Sequence, residues 1–204
     1  MKMYFYLWIV LFLVGSCQSQ SSAKEQQWYK EAQKAQHELN LQYADKEKSP
    51  LTEEDFTKFR SLDFFPISKK YVIEARFVKN EHPIPFEMST TTDRKPIYQK
   101  YGSLFFELDD VSCELPVYQN LDLMNNPEYQ NYIFVPFTDL TTGDESYGGG
   151  RYVDLELPFK DRVVIDFNRA YNPYCAYNHR YSCAVPPEEN NLAVEIKAGV
   201  KAFH

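Results

Sequence analysis

Residues 166–183 read DFNRAYNPYCAYNHRYSC. An acid, arginines, three asparagines and two cysteines stand among four tyrosines, so the stretch could bind, staple or react. Cys175 and Cys183 flank a loop that Asn172 and Pro173 open. In an exported chain a disulfide between them is the expected pairing. Closing a loop of that length contributes about 2–3 kcal/mol in the chain-entropy model. Two reduced, buried thiols are the second reading. The third is Zn²⁺, because Cys175, His179 and Cys183 recur at four-residue intervals and would share a face of a helix. The proline and asparagines of the loop argue against that helix. A nucleophilic cysteine has no evident base beside it in sequence. Cys113 is left over and is expected to be a buried free thiol.

The second candidate is TTGDESYGGGRY, residues 141–152. Gly148, Gly149 and Gly150 permit positive φ and close backbone approach. They make either a hairpin turn with a bulge or a cradle of N–H groups for an anion, with Arg151 as a bidentate clamp. Arg151 could instead pair internally with Asp139, Asp166 or Glu145. No Gly-Lys-Ser/Thr follows, so this is not a phosphate loop. Ser146 stands one residue too far from Gly143 for a nucleophile elbow. His37, His82, His179 and His204 form no pair at metal spacing. The candidate binding surface is therefore Tyr147, Gly148, Gly149, Gly150 and Arg151, with Asp166, Asn168, Arg169 and Asn172. A small polar ligand, a saccharide or a peptide would suit it. A hydrolase is the alternative, with Asp166 or Glu189 as general base and Arg151 with the loop amides holding an oxyanion. No metal or cofactor is implied.

These residues need a scaffold. From Tyr71 onward the pattern has period two: YVIEARFV, SLFFEL (103–108), ELPVY (114–118), YIFVPF (132–137), RYVDLEL (151–157), RVVIDF (162–167) and LAVEIKA (192–198). Gly, Pro, Asn and Asp clusters separate them. Earlier, Trp28, Ala32, Ala35 and Leu39 recur at helical spacing, and TEED at 52–55 resembles a capping box. The expectation is an α+β fold, mainly β: an antiparallel sandwich, roll or barrel preceded by an N-terminal helix. The boundaries read as 28–60 for the helical segment and 61–204 for the β domain. The Trp28 stripe either docks on that domain or binds a partner in an envelope complex.

The first seventeen residues, MKMYFYLWIVLFLVGSC, have the layout of an export signal: one early lysine, an apolar run, small residues, then Cys17. VGSC resembles a lipobox, with Cys17 as the lipidated residue. Residues 1–16 then form the lipoprotein signal and 17–27, polar and low in complexity, a tether. The expected location is the bacterial cell envelope, with a membrane reached through the lipid anchor, facing the periplasm or on the outer membrane. The net charge of −7 disfavours nucleic acid as a partner. Tyr and Phe, at 16 and 15 residues, supply enough rings for a sizeable core.

FTDLTTGDESYGGGRYVDLEL, VVIDFNRAYNPYCAYNHRYSC and PPEENNLAVEIKAGVK, in that order, resemble the bacterial domain of unknown function numbered 1684. The resemblance runs from about Leu62 to Lys201. Its pattern includes Asp139, Thr141, Gly143, Glu145, Tyr147, Gly148, Gly150 and Arg151, then Asp166, Asn168, Arg169, Asn172, Cys175, Cys183, Pro187, Glu189 and Asn190. His179 is outside the pattern, which weakens the zinc reading. The resemblance implies a lipoprotein signal in many members. It supplies no activity or cofactor.

Overall fold

The computed structural model describes residues 17–203, with side chains from Gln27 onward. The expected signal, residues 1–16, and the side chain of Cys17 lie outside the described residues. Helix α1 spans Cys17–Ala44 and so runs through the polar stretch that reads as a tether. Gln, Lys, Glu and Ala are good helix formers, and no Gly or Pro interrupts them. The Trp28 stripe docks on its own domain. Ala32 and Tyr43 are fully buried. The Gln36 side-chain amide donates to the Asn168 carbonyl at 3.1 Å, and Asn40 Oδ1 accepts the Leu62 N–H at 2.8 Å. A partner helix would need that face free, so this reading of the stripe fails. Helix α2, Glu53–Lys58, starts as the capping sequence implies: Thr52 Oγ1 accepts the Asp55 N–H at 3.1 Å.

Seven strands follow: β1 Val72–Lys79, β2 Pro85–Glu87, β3 Ile97–Leu108, β4 Val111–Asn120, β5 Tyr132–Phe137, β6 Arg151–Glu156 and β7 Arg162–Asp166. All pairings are antiparallel, in the order β6-β5-β4-β3-β1-β7, with β2 beside β3. The sheet curls into a half barrel. Alternation fills its inside with Leu104, Leu115, Val117, Ile133, Val135 and Ile165. The opposite face of β3 to β6 carries several rings. Tyr98, Tyr118, Phe134 and Tyr152 form a second cluster under the loops.

Residues 192–198 are not a strand. Their period-two burial is real, since Leu192, Val194, Ile196 and Ala198 are buried and Ala193 and Glu195 exposed. Their backbone groups have other partners, however. The segment packs on the core as a strap: the Leu192 N–H and the Val194 carbonyl pair with the backbone of Thr138 and Leu140, and side chains take groups of Ile196 and Ala198.

Candidate functional site

Those side chains are Asp139 and Arg151. Arg151 is 0% exposed, at the start of β6. Its guanidinium donates to the carbonyls of Ile196 at 2.7 Å and Ala198 at 2.5 Å, and meets Asp139 Oδ1 at 3.1 Å. Asp139 Oδ2 accepts the Ile196 N–H at 2.7 Å. The pair therefore does for the strap what a neighbouring strand would do. Burial lowers the Arg151 pKa and Asp139 opposes it. An arginine still keeps its proton there. Of the three acids that the sequence offers Arg151, the fold chooses Asp139. This corrects the reading of Arg151 as a ligand clamp or oxyanion donor: every approach to it is filled.

The glycine loop is part of the same clasp. It joins β5 to β6, and the Thr141 hydroxyl donates back to Asp139 Oδ2 at 2.9 Å. Gly150 has φ +81, and a Cβ there would lie 2.6 Å from the Phe137 carbonyl oxygen. Tyr147 folds over Gly149. Tyr147, Gly148, Gly149 and Gly150 line no described cleft.

Asp166, Asn168 and Asn172 are clasps too. The Asn168 amide holds the backbone of Ser68 from both sides, accepting its N–H at 2.8 Å and donating to its carbonyl at 2.9 Å. Asp166 accepts from the Asn168 amide at 2.7 Å. Burial raises the Asp166 pKa, and Asn168 opposes the rise. Asn172 is fully buried and donates to the Lys201 carbonyl at 2.9 Å. Glu189 lies elsewhere, beside Lys100 at 2.9 Å and the Tyr118 hydroxyl at 2.7 Å. Partial burial opposes its ionisation, but those two donors win and hold its carboxyl below the usual range. Asp166, Glu189 and Arg151 thus line neither described cleft, and they do not assemble the hydrolase site that the sequence suggests.

Arg169 alone of the expected surface lines a described cleft. It stands between two clefts and has no hydrogen-bond or ion-pair partner among the described residues. The first cleft, about 590 Å³, lies between the outer sheet face, the 171–184 loop and α1. Six tyrosines line it: Tyr98, Tyr132, Tyr152, Tyr171, Tyr174 and Tyr181. Phe134, Tyr152 and Tyr171 meet edge to face in sequence along the wall. Phe134 and Tyr152 have centroids 4.7 Å apart, and Tyr152 and Tyr171 5.7 Å. Tyr152 donates its hydroxyl to the Ala184 carbonyl, which fastens the loop to the sheet.

Asp154, on β6, stands in this aromatic wall. Its Oδ1 accepts the Tyr132 hydroxyl at 2.8 Å, and the Tyr171 hydroxyl lies 2.9 Å from both oxygens. The carboxylate keeps contact with solvent, yet the concave wall crowds it. That crowding raises its pKa, against the tyrosine hydrogen bonds and the charge of Arg169. The second cleft, about 890 Å³, opens on the far side of Asp154 and Arg169, where β6 and β7 diverge. Sequence reasoning missed Asp154. The signal was there: YIFVPF and RYVDLEL put Tyr132, Phe134, Tyr152 and Asp154 on one face of adjacent strands.

The expected disulfide is absent. Cys175 and Cys183 are free, buried thiols, and the Cys175 N–H donates to Cys183 Sγ at 3.1 Å. His179 is exposed in a turn, away from them. Among the described residues no three His, Cys, Asp or Glu side chains are grouped to hold a metal. No described helix is long and apolar enough to cross a membrane.

No curated protein matches the chain. Among solved structures, it is similar to the solution NMR structure of the uncharacterized protein from gene locus rrnAC0354 of Haloarcula marismortui. The identity is 33%, over 88% of this chain and 96% of that one, with a TM-score of 0.69. Residues 57–201, from α2 to the end of the strap, match the model described as "Protein of unknown function (DUF1684)", and the chain belongs to that family.

Proposed function

We propose that the chain is a non-catalytic binding module, and that the tyrosine cleft takes a small polyhydroxylated ligand of the saccharide class. The observation that carries this is Asp154. Two tyrosine hydroxyls hold its carboxylate in an open, ring-lined cleft beside an unpartnered arginine. Ring faces suit the C–H surfaces of a sugar, a fixed carboxylate accepts its hydroxyls, and Arg169 donates to its oxygens. The sequence motif VGSC supports a lipid anchor at Cys17 and an envelope location for this module.

The test is an amide NMR titration of the full chain with a panel of neutral and acidic mono- and disaccharides. Saturable shifts confined to the cleft are expected. Asp154→Ala should weaken binding about ten-fold or more, the worth of a hydrogen bond to a charged group. Binding unchanged in Asp154→Ala, or no saturable shift with any sugar, overturns the reading. Anchoring is tested separately: the wild-type protein should take up radiolabelled palmitate in cells and Cys17→Ala should not.

A further inference from the structure

Behind the cleft wall lies a second group that the proposed ligand does not use. Cys175 and Cys183 are 5% and 9% exposed. The Cys175 N–H donates to Cys183 Sγ at 3.1 Å, and the Tyr147 hydroxyl lies 3.8 Å from Cys175 Sγ. Thr91 pins Cys183 in place, receiving its N–H at 3.1 Å and donating an N–H to its carbonyl at 2.9 Å. Cys183 lines the tyrosine cleft, and Cys175 lies behind it. Cys113, in contrast, is buried alone on the sheet.

We propose that Cys175 and Cys183 form a peroxide-reactive dithiol site, in which Cys175 is the attacking sulfur and Cys183 the resolving one. Polarity follows from the contacts. The Tyr147 hydroxyl, 3.8 Å from Cys175 Sγ, is placed to donate to a thiolate there, and Cys183 Sγ stands beside it at 3.1 Å from the Cys175 N–H. Cys175 sulfur attacks one oxygen of a hydroperoxide and the O–O bond breaks. The alkoxide or hydroxide leaves with a proton, and Cys175 becomes a sulfenic acid. Cys183 then attacks the Cys175 sulfur, the S–S bond forms and the S–O bond breaks. The departing hydroxide takes the Cys183 proton as water. The two sulfurs lose two electrons and the peroxide gains them. The bond closes across the loop without a partner chain, and neither step depends on a ligand in the cleft.

The probe is hydrogen peroxide, added to the fully reduced full chain, followed by alkylation and peptide mass spectrometry. The expected product is a Cys175–Cys183 disulfide, with Cys113 alkylated throughout. In Cys183→Ser, dimedone should trap a sulfenic acid at Cys175. In Cys175→Ser, Cys183 should resist oxidation. Tyr147→Phe should slow disulfide formation about five-fold, one hydrogen bond's worth. Oxidation of Cys113 as fast as Cys175, or no disulfide in the wild-type chain, overturns the proposal. The wild-type result stands even if a serine variant fails to fold.

Discussion

Asp139→Ala is the sharpest test of the strap. The substitution strands the Arg151 guanidinium, which is fully buried. It also removes the acceptor of the Ile196 N–H and of the Thr141 hydroxyl. The carbonyls of Ile196 and Ala198 remain, at 2.7 and 2.5 Å, but they are dipoles and not a countercharge. Breaking a buried pair in this way costs about 3–5 kcal/mol. A domain of this size loses about 2–4 °C of Tm per kcal/mol, so a fall of roughly 6–20 °C is expected. Urea and thermal unfolding followed by circular dichroism give the loss. Hydrogen exchange should locate it, with the Ile196 amide accelerated ahead of the amides in β3 and β4. The double variant Asp139→Leu/Arg151→Met has no stranded charge and should be less damaged than the two single losses added together. A loss below about 1 kcal/mol for Asp139→Ala is the value of an exposed pair and would refute the claim that these two side chains hold the strap.

Three other outcomes follow from the same contacts. Asp154 has a folded-state pKa above its ordinary 3.8, chiefly through crowding, so its contribution to stability is full below that pH and is lost as pH rises through the folded value. Asp154→Asn should therefore unfold at higher urea than wild type at pH 7, with the gap closing below about pH 4, while its ligand affinity falls. Gly150→Ala should destabilise by about 1–3 kcal/mol in urea titrations, because the left-handed backbone and the Phe137 carbonyl both resist a Cβ. Asn168→Ala removes both bonds to Ser68 and should cost about 1–3 kcal/mol, with exchange of the Ser68 amide as the local readout.

Both kinds of residue on the candidate surface are made of the same letters. Arg151 and Arg169, Asp139 and Asp154 look alike in sequence, and polarity alone does not tell a clasp from an open site. Burial separates them. Arg151 and Asp139 are enclosed by the strap, whereas Arg169 and Asp154 face a cleft. The family pattern's asparagines, Asn168, Asn172 and Asn190, all proved to be backbone clasps. Asn190 alone donates to the carbonyls of Pro116 and Pro136, at 2.9 and 2.7 Å.

Local pattern determined a good deal. Period-two alternation is a property of each strand alone, so β1, β5, β6 and β7 were legible to within a residue or two, and with them the mainly antiparallel fold. The cap at Thr52 and the buried side of α1 are local in the same sense. Tertiary structure decided the rest, because the deciding partners are far apart in the chain. Whether 192–198 pairs as a strand depends on what lies beside it, and Arg151 and Asp139 lie there instead of a ladder. The cleft exists because strand register sets Phe134 opposite Asp154 and the Tyr152–Tyr171 bridge brings the loop down beside them. No spacing within one segment encodes that meeting.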